Sequence, residues 1–466
     1  MHTRRDILKL GATAPLALSG TSLLGSLASM NANAIDTGGY KALVCVFLFG
    51  GMDCHDTVLP FDTPSYNSYA SLRSSLLQAY AALPGGSSRT QAAMLPLEPA
   101  TASFGGREFG LPPQMSAMHQ LFEQGNAAIV GNVGPLLAPT DTTGFVTGTT
   151  PLPARLFSHN DQQSTWMSFA PEGSRFGWGG LFGDAAASAA ANSENIFSQI
   201  SLAGNTVFLS GQQVAPYQIG ADGVPEIQLL ARAGNGVPQS LSNILRDHFA
   251  ATGVARNNLF ERDIVDLSQI SFEANDLLDA ALDSAPSFTT PFPASPLGAQ
   301  LGAVARTMSV RDELGASRQV FFVALGGFDT HSNQATDLPG LQQDISDSIA
   351  ALFTATQEMG LEDDVTIFTA ADFGRTLTIN GDGSDHGWGG HHFVVGGAVQ
   401  GGDIYGDIPP SVLGHSQDSG NGRLIPNVSV EQYAAALGGW YGLNNAELTA
   451  ALPGLPAFPG GALPLF

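Results

Sequence analysis

Four apolar runs of strand length stand out along the chain: Lys41–Phe49 (KALVCVFLF), Asn126–Val133 (NAAIVGNV), Val320–Leu325 (VFFVAL) and Asp364–Ala370 (DVTIFTA). Each is apolar nearly throughout rather than alternating, which predicts central strands covered on both faces. Helix-period patterns lie between and after them. Gln114–Gln124 places Met115, Met118, Leu121 and Phe122 on one side, and Ser429–Gly442 does the same with Val430, Tyr433, Ala434 and Leu437. Gln300–Val310 and Leu338–Met359 read as helices, Gln239–Leu282 as a long helix broken in the middle, and Phe393 through Gly406 as a further strand and hairpin. Strand alternating with helix calls for right-handed crossovers. The predicted fold class is therefore α/β, with a mainly parallel central sheet flanked by helices. Residues 185 to 300, with short β-like pieces and the Pro-rich break SAPSFTTPFPASPLG, read as an insertion forming a partly helical cap region.

Polar residues with metal-ligating chemistry fall in the loops beside these strands. Asp53 follows the first strand and Gly50-Gly51; Asp329, His331, Asp372, Asp385, His386, His391 and His392 follow the third and fourth. Open α/β sheets build their sites at the carboxyl edge, and a divalent cation needs oxygen and nitrogen donors converging from a rigid frame. These eight are the candidate metal ligands. Turn and capping roles would also select an Asp or a His in a Gly-rich loop, so it is the cluster that carries the reading. Ser158 stands at the start of a helix holding Gln162, Thr165 and Trp166, where free N–H groups suit a nucleophile or an anion site; capping alone would also favour Ser there. Ser158, His159 and Arg375 are the candidate catalytic residues, with Arg375 or Arg155 to hold an anion in bidentate fashion. Residues 62 to 110 show little chemistry.

Composition narrows the setting. Of 466 residues, 43% are hydrophobic and only 13% charged, with 56 Gly and 28 Pro, which suits one large α/β domain with a sizeable insertion, or two domains, with long polar loops. The start explains this usage. Arg4-Arg5, a weakly apolar stretch from Leu10 to Met30, and Ala32-Asn33-Ala34 look like a twin-arginine export leader cleaved before Ile35. The expected layout is a leader at 1–34 and one α/β domain at 35–466, in the periplasm or secreted. No other run reaches the ~20 apolar residues of a membrane span. A net charge of −23 argues against nucleic acid or anionic lipid as partner. Cys45 and Cys54 make no disulfide framework and read as two reduced thiols.

Several stretches together resemble the DUF1501 family of exported bacterial proteins: the paired arginines, FLFGGMD at 47–53, FSHNDQQSTW at 157–166, GGFDTHSNQ at 326–334, TAADFGRTLTINGDGSDHGWGGHHFVVGGAV at 369–399 and SVEQYAAALGGWYG at 429–442. That family is similar to the alkaline phosphatase and sulfatase superfamily. The resemblance implies an alkaline-phosphatase-like fold and one or two divalent metals (Zn, Mn, Mg or Ca). By position it implies a metal-bridging Asp53, a hydroxyl nucleophile at Ser158, and ligands among Asp329, His331, Asp372, Asp385, His386, His391 and His392. Two departures stand in this sequence: Phe373 follows Asp372 where a His ligand is usual, and Ser158 lacks the Cys-x-Pro-x-Arg setting of sulfatases. The implied function is an exported metal-dependent hydrolase acting on phosphate or sulfate esters of a small molecule or polymer. The alternative is a non-catalytic exported binding or assembly protein that keeps the fold and a metal. A serine hydrolase is disfavoured because no G-x-S-x-G elbow is present.

Overall fold

The computed structural model describes residues 35–84, 87–224, 243, 244, 247, 248 and 258–466. The leader expected at 1–34 and most of the first half of the helix expected at Gln239–Leu282 lie outside the described residues.

The strands are β1 (Lys41–Leu48), β2 (Leu59–Pro60), β3 (Leu95–Pro96), β4 (Phe109–Leu111), β5 (Ala127–Gly134), β6 (Gln199–Ser201), β7 (Tyr217–Gln218), β8 (Arg318–Leu325), β9 (Val365–Ala371), β10 (Arg375–Ile379), β11 (Ser384–His386), β12 (Gly390–Val395), β13 (Ile404–Gly406) and β14 (Val428–Ser429). The central sheet runs β13-β5-β12-β9-β1-β8-β6-β7, with β14 beside β5. All its pairings are parallel except those of β12, which runs antiparallel to both β5 and β9. The mainly parallel α/β architecture is thus as expected, and the four apolar runs are β1, β5, β8 and β9. Their order was not legible, since β9 and β12 separate β1 from β5.

Burial on both faces explains why β1 does not alternate. Ala42, Val44, Val46 and Leu48 face a core built with Leu301, Val304 and Met308 of the Pro296–Ser309 helix and Ile345, Ile349 and Leu352 of the Gln334–Met359 helix. Leu43, Cys45 and Phe47 face the opposite core, with Trp178, Phe182, Tyr433 and Leu437. Each large apolar side chain buried this way contributes about 1.5–3 kcal/mol, so a charge anywhere along β1 would break the sheet at its centre. Within the segment from 185 to 300, β6 and β7 extend the sheet beside β8, and a long helix follows at Leu259–Asp283. Cys45 and Cys54 are buried and unpaired, consistent with two thiols. Among the described residues no helix is long and apolar enough to cross a membrane.

Two of the candidate ligands belong to this core. His391 and His392 sit on β12 and are 2% exposed. The Asn132 amide donates to His391 Nδ1 at 2.9 Å, while the His392 ring packs against Trp166 and Tyr433 and lies 3.2 Å from Thr369 Oγ1. These are packing partners, and the expectation of both as ligands is corrected: a strand at the middle of the sheet turns them into its two cores.

Burial pushes His391 and His392 down to about 3, and burial with the Arg73 charge does the same to His55. The unfolded chain takes up these protons near 6.5, the folded chain only near 3, so this stability is complete above about pH 6.5 and is lost as pH falls toward 3. Burial raises Glu431 to about 7, which acts in the opposite sense between about 4.5 and 7. Three histidines outweigh one carboxyl group. Urea unfolding should show stability falling steadily from pH 6.5 to 4, and the His391→Asn/His392→Gln double variant should flatten that slope; an unchanged slope would place the titrating groups elsewhere.

Candidate functional site

The site begins with strand register. Leu48 of β1 pairs with Leu325 of β8 on one side and Ala371 of β9 on the other, so three parallel strands end on one line. Asp372 follows β9 directly, Asp329 leaves β8 four residues on, and Asp53 leaves β1 five residues on. The loops can crowd together because of Gly50 and Gly51, at φ 114° and 86°. A side chain on Gly50 would meet the Asp329 backbone at 2.3 Å, and one on Gly51 the Phe373 ring at 2.4 Å.

Asp53 lies in a closed polar network beneath the surface. It caps the short 3₁₀ turn Cys54–Asp56, accepting from the His55 and Asp56 amides at 3.0 and 3.2 Å. Arg73 Nη1 reaches Asp53 Oδ2 at 2.7 Å and Asp56 Oδ1 at 2.9 Å, and all three side chains are 0% exposed. Gln334 Nε2 donates to both carboxylates, at 2.7 and 3.0 Å, and the Tyr69 and Tyr80 hydroxyls donate to Asp56. Burial alone would lower the Arg73 pKa, but Asp53 and Asp56 outweigh it and hold the guanidinium well above its ordinary value.

A second group opens to solvent around Asp329. His331 Nε2 and His386 Nε2 each lie 3.2 Å from Asp329 Oδ1 and 2.9 Å from each other. His159 Nε2 lies 3.5 Å from Asp329 Oδ2. Donor atoms of His159, Asp329 and His386 fall within 4.8 Å of one another. Each ring is fixed from behind. His386 Nδ1 is 2.8 Å from the Phe157 carbonyl, His159 Nδ1 is 2.6 Å from Asp372 Oδ2, and His331 Nδ1 is 3.3 Å from Asp385, itself held by Asn380 at 2.6 Å. Since a carbonyl only accepts, the proton of His386 is assigned to Nδ1 and its Nε2 presents a lone pair. Gln163 also donates to Asp372 Oδ2, at 2.8 Å, which assigns the His159 proton to Nδ1 in the same way. Two imidazole lone pairs therefore face the two oxygens of one carboxylate. Histidines tied off at their second nitrogen are the usual ligands of a cation, and the donor set fits a divalent metal.

Electrostatics within the group follow from these contacts. The hydrogen bond that His159 donates to Asp372 raises the His159 pKa against the effect of burial. Burial lowers that of His386. Asp329 is half-exposed; its burial would raise its pKa, but the Arg375 hydrogen bond and charge, with His331 and His159, hold it below the usual carboxylate range. Phe373 is not a gap in the site: its ring packs at 4.9 Å from His159 and 4.6 Å from His386, forming the wall that keeps both upright.

The structure thus brings Asp329, His331, His386, His159, Arg375, Asp372 and Asp385 together, and closes Asp53 away behind Arg73. Asp372 is fully buried, with one oxygen on His159 and Gln163 and the other without a partner among the described residues. Arg375 is fully buried and spends its guanidinium on Asp329 Oδ1 at 2.7 Å, the Gly50 carbonyl at 3.2 Å and the Ser384 carbonyl, so it braces Asp329 rather than facing solvent to clamp an anion. Ser158 does precede its helix, His159–Ser168, but its hydroxyl makes no capping bond and donates instead to Asp161 at 3.0 Å. Arg155 pairs with that same Asp161 at 3.2 Å. Sequence reasoning missed Arg73, Asp56, Gln334 and Gln163. Gln163 had a signal, one helical turn beyond His159 on the same face. Arg73 had none beyond being a basic residue in a chain with few, within a stretch that looked poor in chemistry.

Removing Arg73 leaves two buried carboxylates without their counterion. Arg73→Leu should cost about 3–5 kcal/mol in urea unfolding, whereas Arg155→Leu, which breaks an ion pair whose arginine is 69% exposed, should cost under about 1 kcal/mol. Equal costs would show that the buried network does not support the fold.

No curated protein matches the sequence. Similar solved structures include Ps i-CgsB in complex with k-i-k-neocarrahexaose, at 10% identity and TM-score 0.33 over 87% of this chain and 72% of that one. A second, concerned with metabolism of multiple glycosaminoglycans by Bacteroides thetaiotaomicron, has 10% identity and TM-score 0.34 over 88% and 74%. A third, a 2-O GAG sulfatase, has 9% identity and TM-score 0.27 over 87% and 71%. These likenesses are too distant to speak for substrate or mechanism. The model of a family described as protein of unknown function matches residues 40–455, nearly all of the described chain, and the protein belongs to that family, DUF1501.

Proposed function

We propose that the protein is a metal-dependent hydrolase of phosphate or sulfate esters, exported by means of the leader at 1–34. The observation that supports it most is the convergence of His159 Nε2, His386 Nε2 and both Asp329 oxygens at a solvent-open sheet edge, with each ring's other nitrogen tied off. These three residues would hold one divalent cation. When bound, it would polarise an ester oxygen and lower the pKa of water. Asp372 and the Phe157 carbonyl orient the two rings, and Arg375 fixes Asp329. His331, backed by Asp385, is the group placed beside them to hold or move a proton at Nε2. Ser158 is tied to Asp161, so attack falls to water rather than to a seryl oxygen. The organic part of the ester has a neighbouring cavity of ≈ 350 Å³, lined by Asn160, Gln163, Ser164, Asn205, Thr206 and Phe49. Gln163 joins that cavity to the cluster through Asp372.

A second reading, a non-catalytic binding protein that retains the metal, is favoured by one observation: Ser158 and Arg375, both expected to act on substrate, are held by Asp161 and Asp329. Turnover of aryl phosphate and aryl sulfate esters with Zn²⁺, Mn²⁺, Mg²⁺ or Ca²⁺ supplied separates the two. His386→Ala should lose both metal and activity. His331→Gln should keep the metal and lose about 10²–10⁴ in kcat, and Ser158→Ala should stay within about threefold of wild type, on the scale of a lost helix-end contact. Metal binding without turnover would leave the binding protein as the better account, and absence of metal binding would defeat both.

A further inference from the structure

We infer that the Arg73 guanidinium is a covalently tethered cation filling the oxygen set around Asp53 and Asp56, so that each chain takes one divalent cation and Asp53 is not among its ligands. The inference rests on the proposed metal reading and adds to it the number of metals and the role of Asp53.

Five oxygens surround the guanidinium: Asp53 Oδ2 at 2.7 Å, Asp53 Oδ1 at 3.2 Å, Asp56 Oδ1 at 2.9 Å, the Thr376 carbonyl at 2.6 Å and the Leu377 carbonyl at 2.9 Å. Two carboxylates with backbone carbonyls are the donor set of a hard divalent cation such as Mn²⁺, Mg²⁺ or Ca²⁺. Here the same oxygens are met by the N–H groups of one planar fork. Two carboxylates at full burial demand a positive charge, and Arg73 supplies it from inside the chain, at the junction between the helices Thr63–Leu72 and Ser74–Ala82. A metal reaching Asp53 would have to expel a side chain that is 0% exposed and bonded to both carboxylates and two carbonyls.

The tethered charge also bears on the open cluster. The Ser384 hydroxyl donates to Gln334 Oε1 at 2.8 Å, Gln334 Nε2 donates to Asp53 Oδ2 at 2.7 Å, and Ser384 Oγ lies 3.4 Å from Nε of Arg375, the residue that holds Asp329. Asp53 and Arg73 thus form a closed floor beneath Ser384 and Arg375, while the Asp329 carboxylate is held directly by Arg375.

The test is a count of bound cations. Full-length protein equilibrated with Zn²⁺ or Mn²⁺, freed of excess and measured by native mass spectrometry and elemental analysis, should hold one equivalent per chain. Asp53→Asn, which keeps the shape of the side chain, should still hold one, with affinity within about threefold of wild type. Arg73→Ala, supplied with Mn²⁺ or Ca²⁺, should take up a second equivalent and show a melting temperature that climbs with cation concentration more steeply than wild type. Two equivalents in wild type, loss of the metal in Asp53→Asn, or a folded Arg73→Ala that stays at one equivalent would each overturn the inference. Should Arg73→Ala fail to fold, the wild-type count and Asp53→Asn still decide. A wild-type count of zero would remove the proposed metal centre itself, a result distinct from a count of two.

Discussion

Everything chemical in this molecule hangs from the register that sets Leu48 level with Leu325 and Ala371. Parallel strands that end together release their chains in the same direction at the same height, so three successive loops have to share one small volume. The two glycines after β1 are what allow the sharing, since a side chain at either would strike the Asp329 backbone or the Phe373 ring. The β10–β11 hairpin completes the arrangement by setting His386 opposite Arg375 across an antiparallel pair. One residue braces the carboxylate and its cross-strand partner contacts it.

The strands were legible because burial on both faces leaves an unbroken apolar run, a signal that needs no partner to be read. Asp329, His331 and His386 were legible for a related reason: donors in short loops beside such runs have few places to go. His391 and His392 carry the same residue type in the same stretch and went elsewhere, because β12 turns back antiparallel and takes them into the cores. Nothing in the local text separates His386 from His391; only the return of the strand does. Asp53 shows the opposite limit. Its position after β1 was right and its partner was not, because that partner, Arg73, comes from a helical junction 20 residues on and is recognisable only once the fold has buried it. Strand order is unreadable for a similar reason, as the separation of β1 from β5 depends on which chain later fills the space.

The two polar layers divide labour by exposure. Beneath, Asp53, Asp56, Arg73 and Gln334 are closed to water, satisfied by one another and paired with a charge that cannot leave. Above, Asp329 and the three imidazoles are open to solvent, and of their contacts only the Arg375 bond to Asp329 comes from a permanently charged donor. A buried layer of this kind costs desolvation and returns rigidity; an open layer of this kind costs little desolvation and leaves its nitrogen and oxygen donors accessible. Arg375 is the hinge between them, since its guanidinium is wholly buried while the carboxylate it holds is 45% exposed. That is why Arg375 cannot also serve a substrate anion without letting Asp329 go. The fold's own positive charge is thus spent on keeping that carboxylate in place, and under the proposed function the charge of an ester at this edge would be met by the cation that the imidazoles would hold.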